Sequence, residues 1–137
     1  MGFPVNSILL IDDDEDVRNL VAAILRSSGH TVDTAGDGKA GLALYKTRLH
    51  DLVITDIVMP DMDGLELIRK LWQAATRPRI IAISGDSNLS VELYLPIARQ
   101  LGAVRILAKP FRPDALLQTV AEVLAMPPPA AIRRPPA

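Results

Sequence analysis

The sequence has no cysteine, which excludes a disulfide framework and any metal site built from thiolates. It also has no apolar run near the roughly 20 residues that a membrane-spanning helix needs. The first residues lack the basic and apolar stretches of a secretion signal, and Asn6 does not fit the myristoylation pattern. The 15 basic residues nearly balance the 16 acidic ones, so charge gives no indication of binding to nucleic acid or to a membrane. A cytoplasmic protein is therefore expected.

A length of 137 residues, of which 49% are apolar, indicates one folded domain. Short apolar runs alternate with longer segments of helical periodicity, which predicts strands over 7–11, 30–35, 52–55, 79–83 and 104–108. Asp16 is the expected cap of the first helix, Pro96 is expected to delay or kink the fourth, and Pro113 opens the last. We predict an α/β doubly wound (flavodoxin-like) three-layer sandwich, with five parallel strands in the order 2-1-3-4-5 and five helices.

The composition divides the chain into three parts. Residues 1–6 form an N-terminal extension and residues 7–125 the folded domain, whereas residues 126–137 are rich in proline and cannot build a core. Two interpretations of this last segment stay open. It is the tail of a protein with a single domain, or a linker that is cut off before an effector domain.

Polar side chains stand where four of the predicted strands end. Asp12 and Asp13 follow the first strand, Asp56 ends the third, Ser84 the fourth and Lys109 the fifth. Because ligands bind beyond the carboxyl ends of parallel strands, where the strand order reverses, these side chains are expected to converge on one edge. Carboxylates gathered together repel one another, and a hard divalent cation such as Mg²⁺ relieves that repulsion.

The same set of residues suits phosphoryl transfer. Three carboxylates on one side and Mg²⁺ with a lysine on the other give a neutral site, which accepts a phosphoryl group more easily than bare acids do. Asp56 would supply the attacking carboxylate, Lys109 would hold phosphoryl oxygens, and Ser84 would donate a hydrogen bond to one of them.

The motifs at these positions resemble those of the receiver domains of two-component response regulators. The resemblance covers about residues 7–125. It is carried by Asp12-Asp13, by Thr55-Asp56-Ile57-Val58-Met59-Pro60 with Asp63-Gly64, by Ser84-Gly85, and by Lys109-Pro110-Phe111. Each motif is weak alone, but together, in this order and at strand ends, they are specific.

This resemblance implies that Asp56 is the phosphoacceptor. Asp13 and Asp56 would bind Mg²⁺ (or Mn²⁺) by their side chains, Val58 by its backbone carbonyl, and Asp12 through a water. Lys109 and Ser84 would contact the phosphoryl group. The Lys109–Pro110 peptide bond is expected to be cis.

The resemblance also implies a signalling protein rather than an enzyme, one that promotes its own aspartyl phosphorylation and dephosphorylation. The phosphodonor would be a sensor histidine kinase or a histidine phosphotransfer protein. Phosphorylation would shift the face formed by the fourth helix, fifth strand and fifth helix, and the same face is a possible homodimer surface. No direct binding of nucleic acid or of a membrane by this chain is expected.

The sequence departs from the family in three places. Ile106 stands where a tyrosine or phenylalanine is common, so switching by the inward swing of an aromatic ring is in doubt. The segment around 87–90 is a few residues longer than usual, which could displace the fourth helix. Val58 is apolar where a polar side chain can position the hydrolytic water, and we therefore expect slow self-dephosphorylation.

Parts of the sequence also suit three other functions. A phosphatase of the haloacid-dehalogenase type would use the D-x-D pattern in Asp12-Asp13-Asp14, but it needs a larger chain and a second acidic pair, for which Asp86 is a lone candidate. An EF-hand loop is excluded because Val17 stands at its sixth position and Ala23 at its twelfth. A receiver-like module that never takes up phosphate is disfavoured by the complete residue set.

Overall fold

The protein is described from a computed structural model. The structure describes residues 6–57, 64–74, 76–84 and 91–129, but not the side chains of 91–95. Several predictions fall outside these residues: the carbonyl of Val58, the segment around 87–90, the extension up to residue 5 and the proline-rich segment from residue 130 onwards. Within the described ranges, no helix is both long and apolar enough to cross a membrane.

Strands and helices alternate along the whole domain, as the apolar pattern predicts. The strands are β1 (Ser7–Ile11), β2 (Thr31–Ala35), β3 (Leu52–Asp56), β4 (Arg79–Ser84) and β5 (Arg105–Ala108). The helices are α1 (Glu15–Ser27), α2 (Gly38–Arg48), α3 (Gly64–Trp72), α4 (Val91–Leu101) and α5 (Pro113–Leu124).

The five strands form one sheet in the order β2-β1-β3-β4-β5, and every neighbouring pair is parallel. The predicted fold class and strand order are thus confirmed. The order reverses between β1 and β3, because the chain passes from β1 to β2 on one side and then returns to place β3 on the other. This reversal is the point at which doubly wound folds place their ligands.

Side chains that alternate along each strand point to opposite faces of the sheet, and each face has its own core. In β1, Leu9 and Ile11 pack with residues of α2, α3 and α4, whereas Ile8 and Leu10 pack with residues of α1 and α5. All four side chains are fully buried. Helices therefore cover both faces of the sheet, which confirms the three-layer arrangement.

One local prediction is wrong, and one of the two alternatives predicted for Pro96 is excluded. The cap of α1 is Asp14 rather than Asp16, because the backbone at Asp14 is extended and its carboxylate accepts hydrogen bonds from the amides of Asp16 and Val17. Asp16 lies inside the first turn instead. Pro96 also does not delay α4, which begins at Val91. Proline removes one amide donor there, and the packing of the buried Ala98 against the core offsets that loss. The kink at Pro96 stays a prediction.

Candidate functional site

The candidate site lies at the carboxyl ends of β1 and β3, at the reversal of strand order. The register pairs Ile11 with Thr55, so Asp12 and Asp56, the next residues along the two strands, come side by side. Asp13 follows in the loop that leads to α1. One carboxylate oxygen from each of the three aspartates lies within 4.8 Å of the others. The predicted convergence of these residues is therefore present in the structure.

Backbone hydrogen bonds fix the loop that follows β1. The amide of Asp12 donates to the carbonyl of Ala35 at the end of β2 (3.2 Å). The carboxylate oxygen Oδ1 of Asp12 accepts from the amide of Asp14 (3.0 Å). These bonds hold the Asp12 side chain, which is fully buried, while Asp13 is exposed. The cluster consequently opens toward solvent on the Asp13 side.

Asp56 is held just as firmly by its own strand and by the start of α3. The amide of Ile57 donates to the carbonyl of Ile83 (2.9 Å), and the amide of Gly64 donates to the carbonyl of Ile57 (2.7 Å). A methyl group at Gly64 would overlap the carbonyl oxygen of Asp56. This close approach requires glycine at position 64, and it fixes the backbone of the predicted phosphoacceptor.

Lys109 reaches into the cluster from the end of β5. Its Nζ atom lies 2.8 Å from Oδ2 of Asp12 and 3.0 Å from Oδ2 of Asp56. Burial disfavours the ammonium ion, but the neighbouring carboxylates of the two aspartates outweigh it, so the pKa of Lys109 is raised above its usual value. Lys109 is therefore a positive charge at physiological pH, and the peptide bond that joins it to Pro110 is cis, as predicted.

The charges of the described side chains leave room for a divalent cation. Three carboxylates and one ammonium group carry a net charge of minus two. Oδ2 of Asp12 is enclosed and accepts no hydrogen bond, because its contact with Lys109 is a charge contact without hydrogen-bond geometry. Carboxylate oxygens are the ligands that Mg²⁺ prefers. Asp12, Asp13 and Asp56 could thus hold a metal ion.

Ser84 ends β4 on the same edge of the sheet. It is 3% exposed, and its carbonyl accepts a hydrogen bond from the amide of Lys109 (2.8 Å). The neighbouring Ile83 pairs with Asp56 in the sheet. Ser84 therefore lies at the edge where the sequence placed it. Gly85 and Val58, the remaining parts of the motifs here, lie outside the described residues.

An apolar groove of about 410 Å³ borders this site. One wall is formed by α1 and the other by the segment that follows β5; the lining residues are Val17, Leu20, Val21, Ile24, Lys109, Pro110, Phe111 and Pro113. Leu20 is 62% exposed, which is high for a leucine. Sequence analysis did not find this groove, because its walls lie far apart in the chain.

His50 has a structural role at the opposite end of β3. Its ring is buried against Tyr45, and Nε2 lies 2.7 Å from Oδ2 of Asp33 on β2. Asp33 also accepts from Arg48 (3.1 Å). The hydrogen bond with His50 lowers the pKa of Asp33, although burial opposes the shift. His50 thus ties the edge strand to the domain, far from the acidic cluster.

The model of the response regulator receiver domain family matches residues 8–121. Response regulator ArlR of Staphylococcus epidermidis is 34% identical over 121 residues, a match that spans 88% of this chain and 53% of ArlR. The C4-dicarboxylate transport transcriptional regulatory protein DctD of Rhizobium meliloti is 35% identical, over 82% of this chain and 24% of DctD. The chain thus spans about half of the length of ArlR and about a quarter of that of DctD.

Solved structures of response regulators are also similar to this chain. The chemotaxis response regulator CheY4 of Vibrio cholerae superimposes with a TM-score of 0.80 and 30% identity, over 88% of this chain and 99% of CheY4. The receiver domain of NtrX from Brucella abortus gives a TM-score of 0.79 and 34% identity, over 85% and 97% of the two chains. Fold and site thus define a doubly wound signalling domain with an acidic edge. The chain belongs to the response regulator receiver domain family of two-component systems.

Proposed function

We propose that this chain accepts a phosphoryl group from a phosphohistidine donor onto the carboxylate of Asp56. The observation that carries the proposal is the meeting of Asp12, Asp13 and Asp56 within 4.8 Å, with the Lys109 ammonium group on two of them. In the transfer, a bond forms between a carboxylate oxygen of Asp56 and phosphorus while the bond between phosphorus and the donor imidazole nitrogen breaks. The imidazole leaves with the bonding electron pair.

Charge neutralisation is the main task of the protein in phosphoryl transfer. Mg²⁺ (or Mn²⁺), held by Asp12, Asp13, Asp56 and the carbonyl of Val58, would neutralise phosphoryl oxygens when it is bound. The Lys109 ammonium group is free to turn from the aspartates to a phosphoryl oxygen, and Ser84 would donate a hydrogen bond to another. The burial of Asp56 and Ser84 keeps these contacts in a medium where they are stronger than in water.

The apolar groove is the surface on which we place the phosphodonor. Lys109 both lines the groove and contacts Asp56, so a partner seated there brings its histidine close to the phosphoacceptor. Leu20 is largely exposed and would be covered by an apolar helix face, which is a common mode of recognition in a groove. The donor is therefore a sensor histidine kinase or a histidine phosphotransfer protein rather than a small metabolite alone.

The response to phosphorylation is proposed to involve the face formed by α4, β5 and α5. Phosphate on Asp56 would draw Ser84 inward and shift the population between two states of this face. Ile106 on β5 is half-buried against the core on the α4 side, so the swing of an aromatic ring is replaced by repacking of an aliphatic side chain. The same face is the proposed homodimer surface, which light scattering with and without a phosphate mimic tests.

The direct test of the proposed function is intact-mass spectrometry. The protein is incubated with a small phosphodonor such as acetyl phosphate, with Mg²⁺ or with EDTA. We expect the mass of one phosphoryl group on the wild type with Mg²⁺, none in EDTA and none on Asp56→Asn. Asp37→Asn, which changes the half-buried cap carboxylate of α2, is the matched control and should be phosphorylated normally.

The outcomes separate the alternatives. No added mass on the wild type would favour a module that never takes up phosphate. A phosphoryl group that persists on Asp56→Asn but disappears in Asp12→Asn would favour the phosphatase alternative, whose nucleophile follows the first strand. Direct binding of nucleic acid by this domain is not proposed, since its charges are balanced.

A further inference from the structure

Arg18 reaches from the first turns of α1 back to the end of β1. Its Nη1 atom donates a hydrogen bond to the backbone carbonyl of Asp12 (2.8 Å), and the side chain is half-buried. The carbonyl of Asp12 belongs to the peptide unit that continues into Asp13. Because a peptide unit is planar, a donor on this carbonyl fixes the orientation of the backbone from which both carboxylates leave.

The hydrogen bond from Arg18 to the Asp12 carbonyl lies where negatively charged side chains repel one another. Asp12 and Asp13 stand on one short loop and face Asp56 across the reversal of the sheet, with carboxylate oxygens within 4.8 Å. Their mutual repulsion favours a loop that opens and moves the side chains apart. A guanidinium group that holds the Asp12 carbonyl opposes this movement before any cation arrives.

The guanidinium group is itself held in place by the neighbouring turn. A methyl group at Gly36, just after β2, would lie 3.2 Å from Nη1 of Arg18. Such a contact is too tight to leave the guanidinium group undisturbed. Gly36 therefore provides the space in which Arg18 lies, and substitution there can displace Arg18 without removing its charge.

We infer that Arg18 is a positioning residue for the metal site, which sets the directions of Asp12 and Asp13 through the backbone. The inference rests on the proposed function, because it takes the acidic cluster to be a Mg²⁺ site. Groups that support metal ligands from outside typically change metal affinity by about 10- to 100-fold when they are removed. Arg18 was not among the site residues found by sequence analysis.

The sign of the effect separates positioning from simple electrostatics. A guanidinium charge beside the cluster repels a divalent cation, so its loss alone would tighten Mg²⁺ binding. Loss of the hydrogen bond would weaken it instead. Arg18→Met removes both the charge and the donor, whereas Arg18→Lys keeps both on a chain of nearly the same reach.

The experiment is titration calorimetry of the full chain with MgCl₂, together with thermal unfolding in EDTA. We expect Arg18→Met to weaken Mg²⁺ binding by about tenfold, and Arg18→Lys to keep most of the wild-type affinity. Arg26→Met is the matched control. Arg26 also lies on α1 and also donates to a backbone carbonyl at a separation of six residues, that of Val32 (2.8 Å), which follows it in the chain and lies away from the cluster. Its Mg²⁺ affinity should equal that of the wild type.

Four results bear on the inference. Affinity that is unchanged or tighter in Arg18→Met overturns it, as does an equal loss in Arg26→Met, which would indicate a general effect of stability. Gly36→Ala provides a second route if Arg18→Met does not fold, and normal affinity there overturns the inference too. If the wild type binds no Mg²⁺, the proposed function itself is overturned. If the wild type binds Mg²⁺ and the variants bind it with the same affinity, only the role of Arg18 is overturned.

Discussion

Replacement of Lys109 by methionine tests how strongly the ammonium group holds the acidic cluster together. At an effective dielectric constant of about 20, a charge pair is worth roughly 6 kcal/mol at the separation from Asp12 and roughly 5.5 kcal/mol at that from Asp56. Desolvation of the three groups offsets much of this attraction. Removal of one partner from a buried pair typically costs about 3–5 kcal/mol, and we expect a loss in that range for Lys109→Met in EDTA.

The pH must be chosen so that Lys109 makes its full contribution. Its pKa is raised in the folded state, so the stabilisation is present below the unfolded pKa of about 10.4 and is lost as the pH rises through the folded value. Urea unfolding at pH 8 therefore measures all of it. Saturating Mg²⁺ should reduce the loss, because the cation neutralises the same carboxylates.

Two further variants check the explanation. Lys46→Met changes an exposed lysine on α2 and should alter the free energy of unfolding by less than about 0.5 kcal/mol. The double variant Lys109→Met with Asp12→Asn removes one of the two carboxylate charges that Lys109 neutralised, and should recover part of the loss. A cost below about 1 kcal/mol for Lys109→Met, as for an exposed ion pair, would refute the reasoning, as would a loss that Mg²⁺ does not change.

Three other predictions concern separate parts of the domain. Asp33→Asn should cost about 1–2 kcal/mol at pH 7; the hydrogen bond from His50 lowers the Asp33 pKa, so the cost, measured by urea unfolding, should shrink as the pH falls below about 4. Gly64→Ala should cost about 1–3 kcal/mol by overlap with the backbone of Asp56, and normal stability would contradict that close approach. Val58→Asn should shorten the phosphoryl lifetime in a dephosphorylation time course, and an unchanged lifetime would contradict slow self-dephosphorylation.

The strands and the residues at their ends could be predicted because buried parallel strands appear in a sequence as short, nearly continuous apolar runs. In a doubly wound sheet, the residue after such a run has a defined place, which is why Asp12, Asp56 and Lys109 could be expected to meet. The Arg18 contact could not be predicted in this way. It joins a side chain to a carbonyl six residues earlier, and it exists only because Asp14 caps the helix and turns the loop back.

The apolar groove beside the site also could not be predicted from the sequence. Val17, Leu20 and Ile24 have the sequence spacing of one apolar stripe on a helix, and the natural expectation for such a stripe is burial. Leu20 remains 62% exposed because α5 and the segment before it cover only part of α1. The part of α1 that stays exposed depends on how α1 packs against a segment about ninety residues later in the chain. Local sequence patterns do not specify this packing.

The most direct test of the central claim is to locate the phosphoryl group. After incubation with acetyl phosphate and Mg²⁺, borohydride reduces an aspartyl phosphate to homoserine and releases inorganic phosphate, and peptide mass spectrometry finds the reduced position. We predict homoserine at position 56 and aspartate at positions 12 and 13. Homoserine at position 12 or 13, with position 56 unmodified, would contradict it.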